Sequence, residues 1–287
     1  MNRLSARGVI VTGSSGMAAD AVLRFTEEGA RVFVIGKVAD ECRALNVPYA
    51  LADLSNEDEA VAAFDAARRV LGRVDAVYGA AGGSGRAMGD GPLHSVPLDG
   101  WKASFDLNVT TAFLTAREAV RLMLDQPRDD DGSRGSVVLL ASVLAWSPAP
   151  AFFATHAYAS AKAAIVGLVR SAASYYAGTG VRINALAPGL VRTPMSARAA
   201  SDASTMAFIA RKQALTGGIL AARHVTELAV ELCSARTTAL TGQLIAVDGG
   251  WSVLDGAAAL SEESVVARRL SEPSCHDLRD RHGERSS

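Results

Sequence analysis

Tyr158 and Lys162 stand four residues apart in the run Tyr158-Ala159-Ser160-Ala161-Lys162. On a helix that spacing puts a phenol and an ammonium on one face. A positive charge beside a phenol favours the phenolate and brings its pKa down from about 10, which suits the pair to exchange a proton with an alcohol or carbonyl oxygen nearer neutral pH. Taken alone, the spacing fits a surface or packing pair equally well. Ser142 shifts that balance. It closes the apolar run Ser136 to Ala141, and a side chain at the carboxyl end of a buried strand enters the crevice of an open sheet, where its hydroxyl can bind a reacting oxygen. Asn108, within Leu107-Asn108-Val109-Thr110, adds an amide that can interrupt helical hydrogen bonding and hold a water between Lys162 and solvent. By itself it reads as an asparagine tolerated inside a long helix. Trp146, Phe152 and Phe153 suit an apolar pocket and a closed core equally, and His156 reads as a helix-start residue outside the reacting set.

A second chemical signal lies at the start of the chain, where an apolar run delivers Thr12-Gly13-Ser14-Ser15-Gly16-Met17-Ala18 into a helical pattern. Gly13 and Gly16 allow backbone amides to approach a pyrophosphate, the helix N-terminus adds positive potential, and Ser14 and Ser15 offer hydroxyl donors. Any tight strand-to-helix turn can use glycine, so this signal needs its context. After the next strand, where an acid would ordinarily take ribose hydroxyls, the chain has Gly36-Lys37. Lys37 can neutralise a 2'-phosphate, which tips the expectation slightly from NAD to NADP. Asp53 reads either as a partner for an adenine amino group or as part of the helix start before Asn56.

The elements that must carry these groups follow from hydropathy. Strands are expected at Val9 to Thr12, Arg31 to Ile35, Tyr49 to Ala52, Ala76 to Tyr78, Ser136 to Ala141, Arg182 to Ala187 and Gln243 to Val247. They are apolar over four to six residues without alternation, as strands covered on both faces should be. Helices are expected at Ala18 to Glu28, Glu57 to Leu71, Trp101 to Leu124, Ala157 to Ala177, Ala197 to Leu215 and Arg223 to Ser234. The alternation describes one α/β, Rossmann-like, doubly wound domain with a mostly parallel sheet. A glycine-rich segment, Gly82 to Gly100, wraps the crevice. Residues 1–253 form the domain, and residues 254–287 form an extension in which Ala257 to Leu270 has the pattern of a short amphipathic helix.

Composition narrows the remaining classes. The chain has 287 residues, 29 Lys+Arg against 30 Asp+Glu, and a hydrophobic share of 49%, which excludes a disordered or supercharged chain and gives no basic surface for nucleic acid. No apolar stretch reaches the length of a membrane span, and the short apolar run near the start reads as the first strand rather than a leader. Cys42, Cys233 and Cys275 make no ligand cluster, so no metal is expected, and a reducing, cytoplasmic setting fits.

Together these landmarks resemble the short-chain dehydrogenase/reductase family over about Gly8 to Gly250. The matching residues are Thr12-Gly13 with Gly16, Asp53, Asn108, Ser142, Tyr158 with Lys162, Pro188-Gly189, Thr193-Pro194-Met195 and Val247-Asp248-Gly249-Gly250. The resemblance implies a seven-stranded sheet of order 3-2-1-4-5-6-7 and hydride exchange between NADP or NAD and a small alcohol or carbonyl compound. It implies Tyr158 as acid/base, Lys162 as ribose ligand and phenolate stabiliser, Ser142 as substrate-oxygen binder and Asn108 as relay support. It also implies cofactor contacts at Gly13, Ser14, Ser15, Gly16, Met17, Lys37, Asp53, Leu54, Ala80, Ala81, Gly82, Tyr158, Lys162, Pro188, Gly189 and Thr193, and a substrate lid over Pro194 to Leu220. Assembly as a homotetramer, or else a dimer, through the helices Trp101 to Leu124 and Ala157 to Ala177 is implied too.

Two departures from the family pattern stand out. The first turn is one residue short and has Ala18 in place of a glycine, and Gly79-Ala80-Ala81-Gly82 replaces Asn-Asn-Ala-Gly. They leave two other readings open: a nucleotide-binding regulatory protein without turnover, and a non-redox relative such as an epimerase, dehydratase or halohydrin-eliminating enzyme.

Overall fold

The computed structural model describes residues 2–257. Seven strands form one wholly parallel sheet: β1 (Gly8–Thr12), β2 (Arg31–Gly36), β3 (Tyr49–Leu51), β4 (Ala76–Gly79), β5 (Gly135–Leu140), β6 (Val181–Pro188) and β7 (Leu244–Val247). Their order is β3-β2-β1-β4-β5-β6-β7, the order expected. The reversal between β1 and β4 opens a crevice at the carboxyl ends of the strands, where Thr12, Gly79, Ser142 and Pro188 all emerge.

Burial on both faces explains the unbroken apolar runs. Successive strand side chains point to opposite faces. Val77, Val137 and Leu139 therefore meet α3 (Glu57–Leu71), α5 (Thr111–Leu124) and α6 (His156–Tyr176), while Tyr78, Val138 and Leu140 meet α1 (Met17–Glu27) and α9 (Ala222–Cys233). Phe25 stands edge-on to Tyr78, with centroids 5.8 Å apart, and ties α1 to β4.

Three elements differ from the sequence expectation, each for a local reason. A short helix, α2 (Ala39–Ala44), follows β2; it buries only Cys42, too little apolar pattern to announce itself. The long helix expected from Trp101 begins earlier, as α4 (Leu98–Phe105), and runs into α5 through one π-helical turn at Asp106–Thr110. The helix expected over Ala197 to Leu215 is broken into α7 (Ala197–Ala200) and α8 (Ala203–Lys212). Asp202 causes the break: its carboxylate accepts the Thr205 backbone N–H at 2.6 Å and starts a new helix. Past Val253 the chain stays against α8, whose Arg211 Nε donates to the Gly256 carbonyl at 3.0 Å. The remainder of the extension, including nearly all of the helix expected from Ala257 to Leu270, lies outside the described residues.

Candidate active site

The turn after β1 is built for close backbone approach. Gly13 and Gly16 both have positive φ, 96° and 56°. A Cβ on Gly16 would stand 3.1 Å from two carbons of the Thr193 side chain, so glycine satisfies conformation and space together. No side chain caps α1; the Ala18 and Asp20 N–H groups turn back to the Ser15 and Gly16 carbonyls, which leaves those of Met17 and Ala19 for an anion. The missing asparagine side chains after β4 are replaced by a backbone tie: the Ala81 N–H donates to Thr12 Oγ1 at 3.3 Å.

This turn borders a cavity of about 260 Å³ running from Lys37 to Gly82. Of the residues expected around a dinucleotide, Gly13 through Met17, Lys37, Asp53, Leu54, Ala80, Ala81, Gly82 and Thr193 line it. Its turn, with glycine at both positive-φ positions, and its uncapped helix fit a dinucleotide pyrophosphate. At the far end Lys37 Nζ donates to Asp53 Oδ2 at 2.5 Å. Lys37 first, then the Ser55 hydroxyl and amide, hold the Asp53 carboxyl down at about 2, while the same pairing raises the Lys37 pKa. Asp53 thus accepts from Lys37 on one oxygen and from Ser55 on the other, just before the cap of α3, Asn56, which accepts the Glu59 N–H at 3.1 Å. Ser14 is likewise committed: its hydroxyl donates to Glu41 Oε2 of α2 at 2.7 Å, which leaves backbone amides and Ser15 as the donors of the turn.

A second cavity, about 160 Å³, holds Ser142 and Tyr158 together with Pro188 and Gly189. The two cavities share Met17, Thr193 and Met195. Ser142 is buried and extended just past β5; its Oγ accepts the Leu144 N–H at 3.2 Å, which keeps its proton available for donation. Tyr158 lies in the first turn of α6. Burial raises its phenol pKa, and a hydrogen bond from Ser142 lowers it only in part. The expected lowering by Lys162 is absent for a geometric reason. Lys162 is itself buried, its Nζ donates to the Leu140 carbonyl at 2.9 Å, and it stands over the phenol ring, 5.6 Å from the centroid. Burial depresses the Lys162 ammonium to about 8.

Asn108 sits in the π turn, fully buried. Its amide donates to the carbonyls of Gly83 at 3.0 Å and Ser104 at 2.9 Å, and its oxygen accepts the Gly83 N–H at 3.3 Å. The side chain thus clamps the loop after β4, with both amide hydrogens given to carbonyls. The interruption of helical bonding is real, and π turns of this kind recur at functional sites.

Three residues that the sequence reading passed over complete the frame. Asp90, in the glycine-rich loop, caps α6 from a distance: its two carboxylate oxygens accept the backbone N–H groups of Ala157 and Tyr158, each at 2.9 Å. Gln213 braces the turn after β6, accepting the Leu190 N–H at 2.5 Å and donating to the carbonyls of Leu190 and Gly218; a Cβ on Gly189 would meet its oxygen at 2.3 Å. Trp251 is buried against Phe153 and Phe208, and its indole donates to the Ser147 carbonyl at 3.1 Å, pinning α8 to the loop after Ser142. Phe153 lines the second cavity, Phe152 stacks on Phe208 with centroids 4.2 Å apart, and Trp146 is exposed.

Asp90 offers a direct check of how Tyr158 is placed. Replacing a cap that accepts two helix amides costs about 1 to 2 kcal/mol. Asp90→Ala should therefore lower the melting temperature by a few degrees and turnover about tenfold, with Asp90→Asn recovering part of both. Full turnover in Asp90→Ala would show that the cap does not position the phenol.

A family model described as Enoyl-(Acyl carrier protein) reductase matches residues 11–252. Among curated proteins, Short-chain dehydrogenase reductase 3a of Arabidopsis thaliana is 31% identical over 264 residues, covering 88% of this chain and 97% of that protein. Cis-4-hydroxycyclohexanecarboxylate dehydrogenase of Sinomonas cyclohexanicum is 31% identical over 258 residues, covering 86% and 97%. Among solved structures, a short-chain type dehydrogenase/reductase from Mycobacterium ulcerans superposes with a TM-score of 0.80 at 27% identity, over 92% of this chain and 95% of that one.

Proposed function

The chain belongs to the short-chain dehydrogenase/reductase family, and from that membership we propose that it exchanges hydride between NADP and a small secondary alcohol or its ketone. The observation that carries this reading is the junction of the two cavities: the Ser142 and Tyr158 side chains line a space that opens at Met17, Thr193 and Met195 onto the glycine-turn cavity. When bound, the dinucleotide supplies or accepts the hydride. The turn from Gly13 to Met17 and the amides of α1 hold its pyrophosphate, and Pro188, Gly189 and Thr193 shape the end near the reacting carbon.

The remaining work falls to side chains of the second cavity. Ser142 donates to the substrate oxygen and steadies it as its charge changes, while Tyr158 gives a proton to that oxygen in reduction and takes it back in oxidation. Lys162, buried between the Tyr158 ring and the Leu140 carbonyl, serves as ribose ligand and as the charge that favours phenolate once that contact forms. Asn108 holds the loop at Gly82 and Gly83 in place as a positioning residue. Wall residues such as Val143, Phe153 and Trp251 keep water from the reacting atoms.

Preference for NADP rests on Lys37, which stands at the adenosine end of the first cavity with no acid at the end of β2. Pairing with Asp53 offsets part of its charge, so the preference is modest. A screen of secondary alcohols and ketones with each dinucleotide, followed by the absorbance of reduced nicotinamide together with product analysis, tests the whole reading. Turnover with NADP should exceed that with NAD. Lys37→Ala should narrow the ratio about tenfold, the scale of one partly exposed charge-assisted hydrogen bond. Product formed without net change in the nicotinamide would point instead to a non-redox relative, and binding without product to a regulatory protein. The same reading keeps the chain a cytoplasmic homotetramer, or a dimer, and a single-chain mass by light scattering would count against that assembly.

A further inference from the structure

Arg86 and Arg198 reach the Ser142–Tyr158 cavity from different elements, Arg86 from the one-turn helix Arg86–Met88 within the glycine-rich segment and Arg198 from α7. Neither guanidinium makes a side-chain hydrogen bond or ion pair with another described residue. Arg3, Arg24, Arg73, Arg117 and Arg121 are held by carboxylates; Arg69, Arg170, Arg192 and Arg223 lack such a partner among the described residues too, but of these unpaired guanidinium groups only Arg86 and Arg198 line this cavity. The nearest acid to Arg86 in sequence, Asp90, spends both oxygens on the amides of α6. The two cations also act on each other: burial first, then the charge of Arg198, holds the Arg86 pKa below the ordinary arginine value, and Asp90 opposes this only partly.

Both side chains are exposed, and Asp202 feels the charge of Arg198; two like charges lining one cavity still repel, and an anion placed between them turns that repulsion into attraction. Guanidinium groups present planar donor pairs that match a carboxylate. The rest of the wall is mostly apolar, with Val143, Leu144, Phe153 and Trp251 facing the same space. The cavity, about 160 Å³, is shared with the reacting end of the dinucleotide that Pro188, Gly189 and Thr193 shape, so set beside an apolar cavity of about 150 Å³ that takes up benzene it accommodates a substrate body no larger than a single six-membered carbon ring.

Resting on the alcohol–ketone reading above, we propose that the substrate is a small alicyclic carboxylic acid, its ring in the apolar part of the cavity, its alcohol or ketone carbon at Ser142 and Tyr158, and its carboxylate held by Arg86 and Arg198. No charge of the reacting group is needed for this; the carboxylate is a handle that orients the ring, and hydride and proton transfer occur at the far carbon.

The test separates binding from turnover. Calorimetry of the full chain with NADP measures cyclohexanecarboxylate against its uncharged amide, and steady-state assays measure 4-oxocyclohexanecarboxylate against its methyl ester. Wild type should bind the carboxylate at least tenfold more tightly than the amide and should favour the acid over the ester at least tenfold in kcat/KM. Arg86→Met and Arg198→Met should each lose part of both advantages, and the double variant should lose them. Equal binding of carboxylate and amide by wild type, or an advantage that survives in the double variant, would overturn the anion site whatever the assays show. Selective carboxylate binding lost in the double variant, with no change in nicotinamide on any ketone, would support the anion site and sink the redox reading alone.

Discussion

Tyr158→Phe should lower kcat about a thousandfold while leaving the fold and the binding of dinucleotide close to wild type. The ring is kept, so its packing in the first turn of α6 and its face toward Lys162 survive; only the hydroxyl beside Ser142 is removed. General acid catalysis by a positioned group contributes about a hundredfold to ten-thousandfold, and loss of a group acting only in the transition state appears in kcat and kcat/KM alike. The direction of the phenol pKa adds a second signature. Burial raises it above its ordinary value near 10, so at neutral pH the group is protonated and ready to donate. Reduction of a ketone should then be nearly flat below the pKa the phenol has in the dinucleotide complex, whereas alcohol oxidation, which needs the phenolate, should climb with pH until that pKa, which the Lys162 charge brings down, is passed. Steady-state profiles in both directions check this. A variant retaining a tenth of wild-type kcat, or one pH profile shared by both directions, would remove Tyr158 from the proton-transfer role.

The parts of this molecule that were legible in the sequence are those written in local pattern. Unbroken apolar runs announced buried parallel strands because each strand is covered on both faces, and the Thr12–Ala18 turn announced a strand-to-helix junction because its glycines need positive φ and close approach. What stayed hidden acts across sequence distance or through the backbone. Asp90 is an ordinary loop aspartate until α6, more than sixty residues later, brings its amides to the carboxylate. Gln213 is unremarkable polar sequence until it is buried against the turn after β6. Glu41 reaches Ser14 only because a six-residue helix with one buried residue forms there. The electrostatics of the reacting pair inverted for a related reason. Spacing places Tyr158 and Lys162 on one face, but it does not say that the ammonium will be drawn to the Leu140 carbonyl and that burial will act more strongly than their mutual attraction.

That inversion leads to an expected trade between stability and function at Lys162. Lys162→Met should abolish at least 99% of turnover, by the scale of a lost acid/base partner, and should nevertheless raise the melting temperature at neutral pH by a few degrees. In the folded chain the ammonium titrates at about 8 in place of 10.5, with burial as the cause. Below about pH 8 the group is charged in both folded and unfolded chains, so the native state carries the whole cost of burying the charge. Between about pH 8 and about pH 10.5 the folded chain releases a proton that the unfolded chain keeps, and stability rises with pH as that cost disappears. The depression corresponds to about 3 kcal/mol. Methionine fills the same channel without a charge and forfeits the hydrogen bond to the Leu140 carbonyl, worth about 1 kcal/mol. The net gain is about 1 to 2 kcal/mol at pH 7, shrinking to nothing or reversing near pH 10. Calorimetric melts of wild type and variant at both pH values measure the difference. A variant that melts lower than wild type at pH 7 would show that the buried ammonium is a structural asset; the expected gain would identify it as a cost the fold carries because the phenol beside it needs a positive charge.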